Sequence, residues 1–361
     1  MTTIVLTAGG TGGHLFPAQA LAAELIRRGR KIVVMTDARG KNYNAAFPGA
    51  SIETVPSASF ADRNVVSLFL APFEIVAGVV TAFGKLLRLK PAAVVGFGGY
   101  PSLPVMLAAI VGRYPTATHE ANAIPGRVNR LVADRVRAVA GSLPFARFAP
   151  RDANKVVYTG NPVRPEAAAL AGAPYETPSG RIRLLIFGGS QGAHALSEIV
   201  PAAIARLPAG TRARLDIVQQ CRPEDLDAVR AAYAKADLHP ELAGFFTDLP
   251  ARMAKAHLVI SRSGASTAAE LAVIGRPSIL IPFPFATDDH QTANAQVLAD
   301  AGAAWTVQQG DLSPEKLAAM LADVFDNPAE LAKRAAAARA LGKPDAAQRL
   351  ADLVDKLGEG R

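Results

Sequence analysis

The residues best equipped for chemistry sit in glycine-rich stretches. The first, Ile4-Val-Leu-Thr-Ala-Gly-Gly-Thr-Gly-Gly-His14, carries four glycines and closes on an imidazole. A short apolar strand that empties into a glycine loop and then a helix brings bare N–H groups to a helix N-terminus, where an anion is favoured. Glycine permits the close approach that a Cβ would block. His14 titrates near neutrality, so it is either a proton acceptor beside that anion site or a histidine packing a tight turn. The pattern is not the dinucleotide fingerprint: Leu15 stands at the third glycine position, and no Gly-Lys-Ser/Thr follows as in a P-loop.

A second concentration is Ser261-Arg262-Ser263-Gly264-Ala265-Ser266-Thr267-Ala-Ala-Glu270, directly after an apolar run. Arg262 and the hydroxyls near a helix start suit a diphosphate. Glu270, a turn or two further on, is placed to accept both hydroxyls of a ribose. Pro282-Phe-Pro-Phe-Ala-Thr-Asp288-Asp-His-Gln291-Thr-Ala-Asn294 is a polar loop leading into a helix, and amides such as Gln291 and Asn294 both donate to and accept from sugar hydroxyls. Asp225-Leu-Asp227 reads as solvated surface away from every glycine loop, so neither a metal nor a cofactor is expected.

The elements that must hold these residues alternate. Lys31–Asp37, Ala92–Phe97, Arg137–Gly141 and Lys155–Tyr158 read as strands of an open parallel sheet, and helical stretches separate them. Asp37 is ordinary strand-end punctuation. The pattern restarts at Arg181-Ile-Arg-Leu-Leu-Ile-Phe-Gly188-Gly-Ser-Gln-Gly-Ala193, with further strands at Arg214–Val218, His257–Ser261 and Pro277–Ile281. Two such openings half a chain apart predict two doubly wound domains. Ligands then sit at the carboxyl ends of the strands. Tyr158–Pro165 and the tract 171–180 read as hinge and linker, and 312–361 as helices.

Length supports the same division, since 361 residues exceed what one core usually serves. The net charge of +8 favours an anionic partner. No basic run is interleaved with aromatics, so nucleic acid is not expected. A single cysteine, Cys221, rules out an internal disulfide framework and fits a reducing compartment. Neither a secretory signal nor a run of ~18 apolar residues is apparent, and a cytoplasmic location is expected. Val65–Lys90 is apolar around most of its circumference, with Lys85, Arg88 and Lys90 at one end. It is either a core helix with a solvated C-terminus or an interfacial helix on anionic lipid.

Six stretches in order carry a resemblance. They are Thr7-Ala-Gly-Gly-Thr-Gly-Gly-His14, Gly96-Phe-Gly-Gly-Tyr100-Pro-Ser, His119-Glu120-Ala-Asn122, Thr159-Gly-Asn-Pro-Val-Arg164, Gly188-Gly-Ser-Gln-Gly-Ala193 and Ser261-Arg-Ser-Gly-Ala265. Together they resemble the MurG family, transferases that move N-acetylglucosamine (GlcNAc) from UDP-GlcNAc to undecaprenyl-pyrophosphoryl-MurNAc-pentapeptide (lipid I) in peptidoglycan synthesis. The resemblance implies an α/β GT-B fold, two Rossmann-like doubly wound parallel-sheet domains facing across a cleft. Residues 1–163 would form the acceptor and membrane-facing domain and 164–340 the UDP-GlcNAc-binding domain, with a helix in 341–361 packing back on the first. It further implies Thr11, Gly12 and Gly13 against the donor's phosphate or sugar, and Asn122 and Arg164 touching the donor. Ser190 would meet the diphosphate and the Phe246 backbone would hold uracil. Ala265, Ser266, Thr267, Ala268, Ala269 and Glu270 would enclose the nucleotide, with Gln291 on GlcNAc. Ala121 departs from the glutamine common there.

An α-linked donor and a β(1→4) product require inversion by in-line displacement, with a base for the acceptor 4-hydroxyl and dipoles for departing UDP. His14 is the first candidate base. Glu120 is the second, as base or as the carboxylate that orients a histidine, and His119 is as readily structural. A lipid-linked acceptor gives Val65–Lys90 a reason to dock on the cytoplasmic face of the inner membrane as a peripheral element. Rival readings are a UDP-GlcNAc 2-epimerase, a transferase for a soluble acceptor, a nicotinamide-dependent oxidoreductase, or a non-catalytic nucleotide-sugar module.

Overall fold

A computed structural model describes residues 2–9, 12–37, 46–57, 65–189 and 193–359, with side chains throughout except at 12 and 65–71. The chain divides into two compact units, residues 1–164 with 343–361, and Pro165–Gly342.

In the first unit the strands are β1 (Thr3–Thr7), β2 (Lys31–Thr36), β3 (Ser51–Thr54), β4 (Ala93–Gly96), β5 (Thr116–Glu120), β6 (Ala138–Gly141) and β7 (Val156–Tyr158). They form one sheet in the order β3-β2-β1-β4-β5-β6-β7, every pair parallel. Helices cover both faces, so apolar runs rather than alternating ones make these strands. Ile4, Leu6, Val34 and Val95 pack on one side with Leu21 and Leu25 of the helix Gly12–Arg27; Val5, Val33 and Val94 pack on the other with Val105 and Met106 of the helix Ser102–Val111.

The second unit repeats the plan. Its strands β8 (Ile182–Phe187), β9 (Leu215–Gln220), β10 (Glu241–Ala243), β11 (Leu258–Ser261), β12 (Ser278–Leu280) and β13 (Ala304–Thr306) run parallel in the order β10-β9-β8-β11-β12-β13. The order reverses between β1 and β4 in one sheet and between β8 and β11 in the other. Those are the switch points at which open α/β sheets bind ligands.

Two local expectations change. The tract 171–180 is no free linker: the Pro174 and Ala173 carbonyls accept from Arg276 and Arg339, and the Tyr175 hydroxyl donates to the His257 carbonyl (2.9 Å), all inside the second unit. Asp225 is buried rather than solvated and accepts from His194 Nδ1 at 2.8 Å, whereas Asp227 is exposed.

The helix Ala346–Glu359 belongs to the first unit although sequence separates it from the rest. Leu350, Ala351 and Val354 are buried beside Ile4, Leu6 and Leu25. Arg28 spans the seam, donating to Glu24 (2.7 Å), Asp352 (2.7 Å) and Asp355 (3.1 Å), and Arg30 adds a bond to Asp355. Buried apolar area outweighs half-exposed ion pairs. Leu350→Ala is therefore expected to cost about 2–5 kcal/mol in urea unfolding, and Asp352→Asn, whose carboxylate is 58% exposed, under about 1 kcal/mol. Equal losses would refute this ranking.

Candidate active site

At the β1/β4 switch point two glycine loops interlock. A Cβ on Gly9 would fall 2.2 Å from Pro101 Cγ, and one on Gly99 would fall 2.6 Å from the Gly9 carbonyl oxygen. Gly98 and Gly99 adopt φ of +86° and +77°, a region glycine enters without strain. This double turn receives His14, half-buried in the first turn of its helix: a Gly98 Cβ would stand 3.4 Å from the ring's Cδ2 and Nε2. Gly12 and Gly13 occupy that same first turn, which carries no acidic residue. Thr11 lies outside the described residues.

Glu120 ends β5, buried, and each of its oxygens accepts two N–H groups. Oε1 takes the Asn122 backbone (2.9 Å) and side chain (3.2 Å); Oε2 takes the Gly126 backbone (2.8 Å) and Asn129 Nδ2 (2.8 Å). The carboxylate thereby folds the loop 121–126 and presents half-buried Asn122. Ala121 is buried beneath it. Asn129, which no motif flags, also donates to the His119 carbonyl (3.0 Å). His119 is fully enclosed, tilted against Phe97 at 5.4 Å, and its Nε2 lies 3.2 Å from the Ser142 hydroxyl and 3.4 Å from the Gly160 carbonyl. Burial depresses its pKa to about 4, outweighing the contact with Gly160, with His14 also lowering it. His119 is therefore a neutral strut to the segment that leads to half-buried Arg164.

At the β8/β11 switch point, Gly188 and Gly189 follow β8, with Gly189 at φ +85° and open space where a Cβ would lie. Ser190 lies outside the described residues. Gly264 starts the helix Ala265–Ile274, whose first turn has neither an acidic residue nor a side-chain cap, so its N–H groups are not occupied by a cap. Ala265, Ser266, Thr267 and Ala269 are half-buried, and Ala268 and Glu270 are buried.

Arg262 is engaged by the neighbouring loops. Its guanidinium is buried, donates to the Ile281 (3.1 Å) and Pro282 (3.0 Å) carbonyls and to Gln309 Oε1 (2.6 Å), and lies 5.5 Å from the Phe283 ring centre. Burial lowers its pKa. Gln291 joins the same assembly: its Oε1 accepts from the Phe283 N–H (3.0 Å), and its carbonyl accepts from Ser263 Oγ (2.8 Å). Asn294 is buried and donates to the Ser263 carbonyl (3.1 Å). Phe246 is buried with the Arg252 guanidinium 4.2 Å above its ring, on a loop whose Gly244 carbonyl accepts from Gln220 (3.1 Å).

The helix Val65–Leu89 is apolar on two sides. Ala82 and Leu86 are buried, and at Gly78 a Cβ would meet the Pro56 carbonyl oxygen at 2.2 Å. Phe73, Val76, Val80 and Leu87 form the opposite stripe, each more than half exposed. The basic end is partly spent, because Lys85 (2.6 Å) and Arg88 (2.7 Å) both pair with Glu53. Among the described residues no helix is long and apolar enough to cross a membrane.

Two parallel doubly wound domains, each with a glycine loop at its switch point, define the GT-B class. The chain matches the glycosyltransferase family 28 N-terminal domain over residues 4–141 and the glycosyltransferase family 28 C-terminal domain over 183–350. It is 51% identical over 361 residues to a UDP-N-acetylglucosamine–N-acetylmuramyl-(pentapeptide) pyrophosphoryl-undecaprenol N-acetylglucosamine transferase of Rhodospirillum rubrum, covering 99% of this chain and 92% of that one. MurG of Acinetobacter baumannii superposes with a TM-score of 0.83 at 31% identity, covering 99% and 100%. A UDP-GlcNAc 2-epimerase from Neisseria meningitidis reaches 0.68 at 13% identity, covering 99% of this chain and 100% of that one, a likeness of fold alone. The chain belongs to the MurG family of glycosyltransferases.

Because folding makes His119 harder to protonate, the unfolded chain binds the extra proton first. Its contribution to stability is complete above about pH 6.5 and is lost as pH falls towards about 4. His119→Gln is expected to flatten the decline in unfolding free energy between pH 7 and 4.5, measured in urea. An unchanged slope would show that His119 is not the group responsible.

Proposed function

We propose that this protein transfers GlcNAc from UDP-GlcNAc to the 4-hydroxyl of MurNAc in lipid I, with inversion, to give lipid II. The observation that carries the reading is the identity of about half over essentially the full chain with transferases named for that acceptor. The 4-hydroxyl oxygen attacks the anomeric carbon, the bond to the diphosphate breaks, UDP departs, and the hydroxyl proton passes to a base.

His14 is that base. In support, it is a half-buried imidazole held at a switch point in the helix turn that also carries Gly12 and Gly13. Glu120 serves better as a positioning residue, because a hydroxyl approaching either oxygen meets two N–H donors already in place. Asn122 and Arg164 contact the donor from the first unit, and Thr11 and Ser190 complete the phosphate contacts.

In the second unit the N–H groups of Ala265 to Thr267 stabilise departing UDP, Glu270 takes the ribose hydroxyls and the Phe246 backbone takes uracil. Arg262 acts through the loop it braces rather than on the diphosphate. Gln291, its Oε1 engaged by Phe283, offers Nε2 to the sugar. The decisive measurement is GlcNAc transfer to lipid I in detergent with EDTA present. The wild type is expected to turn over, and His14→Ala to lose roughly 10²–10⁴-fold in kcat with UDP-GlcNAc binding kept. Full activity in the mutant would remove His14 as the base; epimerisation or hydrolysis without transfer would overturn the reading.

The helix Val65–Leu89 docks the first unit, as the acceptor domain, on the cytoplasmic face of the inner membrane. The exposed stripe of Phe73, Val76, Val80 and Leu87 supports this more than the cations do, since Glu53 neutralises part of their charge. Val76→Ser with Val80→Ser is expected to lower partitioning onto anionic vesicles at least tenfold, at about 0.8 kcal/mol per buried CH₂, with soluble stability kept. Unchanged partitioning would refute this face.

A further inference from the structure

Neighbouring loops leave the carboxyl ends of β8, β9 and β10 in the second unit's sheet. A side-chain pair ties the first two together. Asp225, buried in the turn Pro223–Asp225 after β9, accepts from Nδ1 of His194 at 2.8 Å. His194 is the first residue of the helix His194–Ala205, which follows Gly188 and Gly189 at the β8/β11 switch point. Its other ring nitrogen, Nε2, lies 3.4 Å from the Glu198 carboxylate one turn on. The turn after β9 is in its own right fastened to the loop after β10. The Cys221 N–H donates to the Ala243 carbonyl (3.0 Å), Gln220 Nε2 donates to the Gly244 carbonyl (3.1 Å), and a Cβ on Gly244 would lie 3.6 Å from Pro223.

Packing does not require this pair. The helices His194–Ala205 and Leu226–Ala234 already share one core through Leu196, Val200 and Val229, all buried. Asp225 Oδ2 has no partner among the described residues, and a buried carboxylate oxygen left so costs stability. What the pair supplies is a fixed place for the start of its helix, whose first turn has neither an acidic residue nor a side-chain cap. The leading N–H groups are left for an anion, and their direction depends on where position 194 is held.

We propose that the His194–Asp225 hydrogen bond is a positioning device for the donor's nucleoside diphosphate. It holds the start of this helix, and through the turn after β9 the loop after β10, in the geometry that binds the donor. Both residues act through backbone rather than on the substrate. The inference rests on the transferase function above and adds to it two residues that lie outside every glycine motif.

The test is calorimetric affinity for UDP, with KM for UDP-GlcNAc, KM for lipid I and kcat in detergent. The variants are His194→Ala, Asp225→Ala, Asp225→Asn and the double variant His194→Ala with Asp225→Ala, and urea unfolding of each reports stability. Both single alanine variants are expected to lose UDP affinity and gain donor KM by about tenfold, the scale of one hydrogen bond to a charged group, with kcat and the KM for lipid I kept. The double variant should lose no more than either single one, and Asp225→Asn, which keeps an acceptor for the Nδ1–H, should recover most of the loss. The double variant leaves neither partner of the pair behind, so it carries the test should a single variant fail to fold. Unchanged UDP affinity there, whatever the change in stability, overturns the inference, because the pair is then a brace of the fold alone. Losses that multiply in the double variant, or a fall in kcat with donor KM kept, overturn it as well. These readings on UDP stand apart from turnover: a wild type that binds UDP but transfers no GlcNAc to lipid I overturns the transferase reading instead.

Discussion

The first unit's site depends on one close approach, the contact of backbone with backbone where β1 and β4 release their loops. Gly9 lies so near Pro101, and Gly99 so near the Gly9 carbonyl, that no side chain fits at either position. The double turn at Gly98 and Gly99 then leaves a slot that the His14 ring fills. Parallel register makes this possible, since Thr7 lies opposite Gly96 and both loops leave the sheet at the same level. A glycine replaced here would displace the imidazole as well as the turn.

The second unit reaches the same end by polar bracing. Arg262, Ser263, Gln291 and Asn294 tie the loops after β11 and β12 to each other through hydrogen bonds that are buried at Arg262 and Asn294 and reach the surface at Gln291. A buried polar network costs little when each member is satisfied, and it fixes one geometry where an apolar core would tolerate several. Arg262 shows the logic: three hydrogen bonds and an aromatic neighbour offset the burial of its charge.

Legibility in the sequence followed physical cause. Strands buried on both faces were readable because burial demands apolar runs, as in Leu6 and Val95. β5, Thr116-Ala-Thr-His-Glu120, escaped reading because two of its polar side chains, His119 and Glu120, find tertiary partners at Gly160, Asn129 and Asn122. The glycine loops were readable because steric limits on a Cβ are local. The partners of Arg262 and Asp225 were not, since Gln309 lies 47 residues from Arg262 and His194 lies 31 from Asp225. A cation near a helix start looks like a phosphate ligand in sequence, and its role in bracing a loop shows only with the carbonyls it meets.

That distinction bears on how such a site works. Displacement at an anomeric carbon needs no covalent intermediate on the protein; it needs dipoles that do not reorganise as charge moves to the leaving group. Most charged side chains around the two switch points are committed to holding backbone: Glu120 folds its loop, Arg262 braces another, and His119 stays neutral. On the proposed function, what would face substrate is mainly amide N–H at helix starts, with few titratable groups among them. On that function, proton transfer falls to His14, because the hydrogen-bonding capacity of the Glu120 carboxylate is already used in keeping the scaffold still.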